Sequence, residues 1–365
     1  NESFNKFGVN QINASRGLGV GPWSSFFKIA FPMALPALIT GISLMCMEVM
    51  NELGTFALLN IPSISTGIAE NWIIEGNPKS AIGLSLVALL IIFTLIIFEK
   101  FSRRKSKRWS ENPASKDSQG WELKKTRALL AITISLFPPI FSFGIPCFWV
   151  LLNIDQIQKG LSVELLTLSF RTISLGFFTA LITMLFSLII SLARRPNKSL
   201  LLGLITNLAG IGYAIPGTVL ALSLISISSP KLNFFAVCLL IWGYLVRFLT
   251  ISKGSIDSSL ERISPSLDEA ALGLGENWPG IIKRIHLPLL QGPIFVGSLL
   301  VFVDTIKELP MTFILRPFDF DTLSVRIYQY AGDERMVEAI LPAILIMTLG
   351  LIASFTLIPS LEKKN

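Results

Sequence analysis

The sequence predicts an all-α, polytopic membrane protein with eight transmembrane helices. Three observations carry that reading. Apolar residues make up 52% of the 365 residues and charged residues only 15%, with a mean hydropathy of +0.64. Soluble domains carry roughly 25% charged residues. The apolar residues gather into eight stretches free of Asp, Glu, Lys and Arg. Basic residues fall on alternate connections between those stretches. This composition excludes a soluble, disordered, collagenous or disulfide-rich secreted chain. Cys46, Cys147 and Cys238 lie inside apolar runs and read as small core residues, not as a disulfide frame or a metal set.

Each span follows from length. A helix rises about 1.5 Å per residue, so about 20 apolar residues cross the hydrocarbon. The candidates are 29–47, 80–98, 128–154, 172–193, 199–230, 232–246, 285–303 and 339–361. The run 199–230 is too long for one helix and reads as one span plus a turn at Ser228-Ser229-Pro230. Pro216 and Gly217 would let a helix bend there. The run 232–246 is short, and Arg247 and Lys253 are expected to snorkel from its end.

Charge sets the orientation. Between Lys100 and Arg127 stand ten basic residues and three acids, which is the entire net charge of +7. A basic loop between two spans reads as cytoplasmic. Parity then places the N-terminal segment, Arg194, Arg195, Lys198, the 247–284 connection and Lys363-Lys364 on the same side, and each carries basic residues. Both ends of the chain are therefore expected in the cytoplasm. The same +7 does not point to nucleic acid, because only Trp109 and Trp121 accompany it.

The chain contains an internal repeat. Glu269-Ala270-Ala271, Gly275, Ile285 and Pro288 recur as Asn13-Ala14-Ser15, Gly19, Ile29 and Pro32, every pair 256 residues apart. The same offset pairs Gly17 with Gly273, Gly41 with Gly297, Glu48 with Asp304, and Glu52-Leu53 with Glu308-Leu309. Each copy offers a helix-forming stretch, a Gly stop and a Pro at the entry to a span. The expected element is a helix–turn–helix on the inner face, suited to docking a cytoplasmic partner.

The spacing EAA, three residues, G, nine residues, I-x-L-P resembles the signature loop of importer-type ABC transporter permeases. Residues 269–288 fit it in full, and 13–32 with Asn13 and Phe31 as departures. Two such loops resemble a fused permease of the type I importer fold. Met47–Phe56, the Lys307-Glu308-Leu309-Pro310 segment, Leu315–Phe318, Asp321–Leu323 and Ala331–Glu334 resemble the permeases of ferric-iron importers.

The resemblance implies coupling elements at Ala14, Ser15, Gly19 and Pro32 and at Glu269, Ala270, Ala271, Gly275 and Pro288. It implies an ATP-binding subunit in two copies, a periplasmic binding protein, and the bacterial inner membrane with its lipid. It also implies the domain plan: a first permease half over 1–111, a basic linker over 112–127, and a second half over 128–365 with its coupling loop at 253–288. On that plan two spans belong to the first half and six to the second, so about four spans are expected before Asn1, a residue that is not Met. The expected cargo is ferric iron. Thiamine, a polyamine or an oxyanion is the alternative within the class, and a secondary transporter or channel the alternative outside it.

No catalytic constellation, cofactor or metal site is predicted. The chain lacks G-x-x-x-x-G-K-[ST], so energy is expected from the partner. His286 is the one histidine and reads as an interfacial loop residue. Four acids attract more interest. Glu48 and Glu52, and Asp304 and Glu308, are pairs four residues apart on one helical face. Acids in a span are costly and usually face a protein interior or a wet cavity. They are translocation-pathway candidates for a hard cation, with pairing to Lys307 or a headgroup position as the plainer alternative. In the outer segment 315–336, Arg316, Asp321, Asp333 and Glu334 are binding-protein docking candidates.

Overall fold

A computed structural model describes residues 9–106, 124–157, 162–196, 199–227 and 236–362. Most of the basic linker, Lys198, the turn at 228–230 and Lys363-Lys364 lie outside the described residues. Among the described residues there is helix and no strand. Two compact units form, one from 1–49 and 87–154, the other from 50–86 and 155–365.

In chain order the helices are α1 (Val9–Gly17), α2 (Pro22–Ser25), α3 (Phe31–Asn51), α4 (Gly54–Leu58), α5 (Ile64–Ala69), α6 (Pro78–Ser106), α7 (Thr126–Pro139), α8 (Ile145–Leu152) and α9 (Ile154–Ile157). They continue as α10 (Val163–Arg194), α11 (Leu200–Ala209), α12 (Gly217–Ile227), α13 (Ala236–Leu260), α14 (Pro265–Gly273) and α15 (Trp278–Ile281). The last four are α16 (Leu287–Lys307), α17 (Pro310–Leu315), α18 (Leu323–Gly332) and α19 (Met336–Glu362).

Among the described residues six helical segments are long and apolar enough to cross a membrane: 78–98, 126–152, 163–194, 236–260, 278–307 and 336–356. A seventh forms if Pro22–Leu35 and Leu38–Asn51, bent by 52°, act as one span. The expected span within 199–230 is divided. Helix α11 ends at Ala209, a 3₁₀ turn occupies Gly212–Ala214, and α12 restarts at Gly217. Pro216 has no N–H to continue the ladder. A Cβ on Gly212 would collide with the carbonyl oxygen of Val246, so this break sits directly on α13.

The sequence repeat is also a repeat of elements. Helices α1, α2 and α3 begin and end 256 residues before α14, α15 and α16. A π-helical turn precedes the span in each copy, at Phe26–Ala30 and at Ile282–His286. Its cause is Pro32 and Pro288. Each proline lacks the N–H that the carbonyl four residues earlier would accept, and the turn just before it widens so that the Phe31 and Leu287 N–H groups reach five residues back, to the Phe26 and Ile282 carbonyls.

The core of the larger unit is α10, α13 and α16 packed together. Helix α10 starts at Ser162, whose side chain accepts from the Leu165 N–H at 3.2 Å. It buries Leu175, Gly176, Thr179, Ala180, Thr183, Met184 and Ser187, a face of small residues that lets helices approach closely. Leu240, Tyr244 and Phe248 of α13 and Val301 of α16 complete the cluster. In contrast, Cys46, Cys147 and Cys238 are free and exposed, not core residues as the sequence suggested. Long apolar helices turn such faces outward to lipid. Helix α13 also runs further than its charge-free stretch, to Leu260, carrying Arg247 and Lys253 into the packed interior.

Candidate functional site

The acids fall into two kinds. Each of the two repeated spans ends in a break, at Leu53 (φ −113°, ψ −49°) and at Leu309 (φ −112°, ψ −53°). A short helix follows each break, and its first N–H groups have no helical partner. Glu52 Oε1 accepts from the Thr55 N–H at 2.9 Å. Glu308 accepts from the Met311 N–H at 3.1 Å and the Thr312 N–H at 3.1 Å, and from Thr312 Oγ1 at 3.0 Å. The second acid of each pair is therefore the cap of α4 or α17. The two breaks also meet, because a Cβ on Gly54 would lie 3.0 Å from Leu309 Cδ2. The first acids are different. Glu48 and Asp304 are half-buried and stay on their long helices. Asp304 pairs with Lys307 at 2.8 Å.

Glu308 has a second partner that the sequence reading missed. Arg247 Nη1 lies 3.3 Å from Glu308 Oε1, and both residues are almost fully buried, at 3% and 5% exposure. Arg247 does not snorkel. Its guanidinium lies over the Tyr213 and Phe248 rings, 6.0 and 5.6 Å from their centroids. It donates to Asn51 Oδ1 at 2.8 Å, and the same oxygen accepts from the Gly217 N–H at 2.7 Å. Tyr244 and Thr312 hydroxyls close the cluster. Gly217 is required, because a Cβ there would stand 2.6 Å from Arg247 Nη1. The signal in the sequence was one Arg within a helical apolar run, a residue that must find an acid partner.

The coupling-loop residues sit where the repeat puts them. Gly19 and Gly275 have φ of +81° and +84°, the left-handed turn that ends α1 and α14. Ala14, Gly19, Pro32, Glu269, Ala270, Gly275 and Pro288 are exposed, Ala271 is half-buried and Ser15 is buried. Leu18 and Leu274, equivalent by the offset, project at 84% and 90% exposure. The two copies are held differently. In the first, Ser15 and Ser25 hydroxyls meet at 2.6 Å and tie α1 to α2. In the second, Asp268 of α14 accepts from Arg195 Nε at 2.5 Å and lies 3.0 Å from His286 Nε2. Arg195 follows the last residue of α10 and also donates to the Leu260 and Ile263 carbonyls at 2.7 and 2.8 Å. His286 is thus buried at 1% exposure, not an interfacial loop residue. The network joins α10, α13, α14 and the entry to α16.

In the 315–336 segment, Arg316 and Asp321 pair with each other, and Arg326 approaches Asp321 at 3.3 Å. Asp333 and Glu334 are exposed. Among the described residues no three His, Cys, Asp or Glu side chains converge on a metal-sized site.

Residues 4–107 match the family described as binding-protein-dependent transport system inner membrane component. A curated protein similar to this chain is the Fe(3+)-transport system permease protein FbpB 2 of Haemophilus influenzae, 26% identical over 94% of this chain and 69% of its own length. Two solved structures are also similar. One is a bacterial alginate ABC transporter in complex with an alginate pentasaccharide-bound periplasmic protein, 13% identical over 64% of this chain and 92% of that chain, with a TM-score of 0.43. The other is a bacterial ABC transporter involved in alginate import, 14% identical over 63% and 98%, with a TM-score of 0.40. The chain is thus similar, at modest identity, to an iron(III) transport permease, and its described helices include segments long and apolar enough to cross a membrane.

One prediction follows from the buried pair. Arg247→Leu leaves Glu308 buried without its cation, which costs about 3–5 kcal/mol. Thermal unfolding of the purified chain in lipid nanodiscs should therefore show a large loss of stability. Adding Glu308→Gln to that variant should recover part of it, since the orphaned charge is gone. Equal stability of Arg247→Leu and the wild type contradicts the pairing.

Proposed function

We propose that this chain is the membrane-spanning subunit of an ATP-driven importer that translocates ferric iron delivered by a periplasmic binding protein. The observation that carries the proposal is the pair of coupling loops, repeated to the residue, in a chain that aligns over 94% of its length with a ferric-iron permease. Two ATP-binding subunits dock on the exposed surfaces around 14–19 and 269–275, where Leu18 and Leu274 supply an apolar tip in each copy. Their closure moves α1–α2 and α14–α15. Arg195 passes the second movement to α10, because it binds Asp268 on the coupling helix and the carbonyls that end α13. The spans then rock between openings to the two sides, a rigid-body change driven by differential partner contacts.

On this reading the domain plan is 1–111, 112–127 and 128–365, both ends face the cytoplasm, and the 315–336 segment faces the binding protein. Asp333 and Glu334 are exposed there, while Arg316 and Asp321 hold the segment in shape. Glu48 and Asp304 are the pathway acids for the cation. Glu52 and Glu308 act with them by fixing the helix breaks beside the route. The chain itself carries out no catalysis and holds no cofactor, and ATP hydrolysis belongs to the partner.

The test is reconstitution of the chain in proteoliposomes with its ATP-binding subunit and binding protein. Iron-loaded binding protein should stimulate ATP hydrolysis and iron uptake, and Glu48→Gln with Asp304→Asn should lower uptake at least tenfold. Stimulation by another solute and none by iron removes the cargo assignment. Unchanged uptake in the double variant removes the pathway assignment.

A second test addresses coupling. Arg195→Ala should keep the ATP-binding subunit bound, since the exposed loop surface is untouched, yet uncouple hydrolysis from uptake. Wild-type uptake per ATP in this variant overturns the transmission role.

A further inference from the structure

Asn51 is the last residue of α3 in the first copy of the repeat, and its equivalent in the second copy is Lys307. The two do different work. Lys307 is half exposed and reaches Asp304 on its own helix. Asn51 reaches out of its helix, and its one carbonyl oxygen takes two donors from helices outside the repeat: the Gly217 N–H of α12 at 2.7 Å and Arg247 Nη1 of α13 at 2.8 Å. The first donor is the N–H at the restart of the broken α11–α12 segment. The second is the cation of the buried pair, whose Nε has no hydrogen-bond partner. The Arg247–Glu308 pair therefore does not saturate the guanidinium, and Asn51 supplies part of what is missing. Glu308 in turn caps α17. Three elements, α3, α12 and α13, meet at a single amide side chain, and Glu308 links α17 to the same arginine. All of these contacts lie at the ends of α3 and α16 away from the coupling loops.

We infer that Asn51 is a latch that ties the end of α3 to α12 and α13 at the membrane side opposite the repeated loops, and that opening toward that side requires the Asn51–Gly217 and Asn51–Arg247 bonds to break. The inference rests on the permease reading for its role in transport. Its physical content is a two-state element biased by one side chain. A neutral amide suits such a device. Its bond to the Gly217 N–H is of ordinary strength, its bond to Arg247 is charged on the donor side only, and both donors regain water when the cleft opens. A carboxylate at this position would add the acceptor charge to both bonds, strengthening them, and would hold the closed state. An apolar side chain would make none and would release it. The two substitutions must therefore push in opposite directions, whereas a side chain needed only for packing would respond to both alike.

The test uses the full chain in lipid nanodiscs, with Cys46, Cys147 and Cys238 replaced by Ser and spin labels at Leu58 and Ile227, which are exposed and outside the cluster. Double electron–electron resonance reads the populations of short and long distances. Asn51→Ala should raise the ratio of long to short by about tenfold and Asn51→Asp should lower it by a similar factor, as expected for loss or strengthening of a bond to a charged partner. In the reconstituted transporter, Asn51→Ala should raise ATP hydrolysis without binding protein, and Asn51→Asp should slow uptake. Shifts of both variants in one direction, or distance populations equal to wild type, overturn the latch. Shifted distances with unchanged hydrolysis and uptake overturn its role in transport. Failure of the permease reading shows separately, as no association between the wild-type chain and an ATP-binding subunit.

Discussion

Glu308 is bound from two directions, and much of the larger unit depends on it. Its carboxylate accepts from the first N–H groups of α17 and faces the Arg247 guanidinium of α13. In a hydrocarbon-bathed protein a helix break leaves N–H groups that no water can reach, each costing several kcal/mol if unpaired. A buried Arg would be costlier still without an acid. One side chain meets both needs. It fixes where α16 ends, how α17 departs, and how close α13 approaches. Removing either partner leaves a buried charge, which is why the pair is expected to act as a unit.

The same constraint recurs at each interruption. At the first repeat's break, Glu52 caps α4. At the break between α11 and α12, Asn51 takes the Gly217 N–H. Entry to the spans is handled by the chain itself, with π-turns ahead of Pro32 and Pro288. Breaks in the membrane segments are thus placed where a polar side chain from another element can satisfy them. The entry side of the repeated spans is built on the same logic with more charge: Arg195 and Asp268, with His286 beside them, hold α14 to the bundle, while the first copy uses two serine hydroxyls. The two repeated loops are therefore matched in backbone and unmatched in attachment.

How much of this was legible depends on the scale of the interaction. The repeat was legible to the residue, because Gly19 and Gly275 must sit at positive φ and Pro32 and Pro288 must open a span. Long spans such as α10 and α19 were legible from composition. The acids at Glu48, Glu52, Asp304 and Glu308 were visible, but the i,i+4 spacing gave no hint that the helix ends between them and that the second acid becomes a cap. Arg247 was read as snorkelling because charge-free stretches end at charges, whereas α13 continues through it with a partner 61 residues away in sequence. The break before Gly217 was hinted at by Pro216, yet its partner Asn51 lies 166 residues earlier. Non-local polar pairing is what local pattern cannot encode.

The account stands on the ion pair itself, and solid-state NMR reads it most directly. With ¹⁵N in the Arg247 guanidinium and ¹³C in the Glu308 carboxyl, rotational-echo double resonance in native-like bilayers measures their separation. The account predicts strong dephasing, consistent with the 3.3 Å Nη1–Oε1 contact. Dephasing no faster than that of an unpaired arginine–carboxyl reference would contradict it.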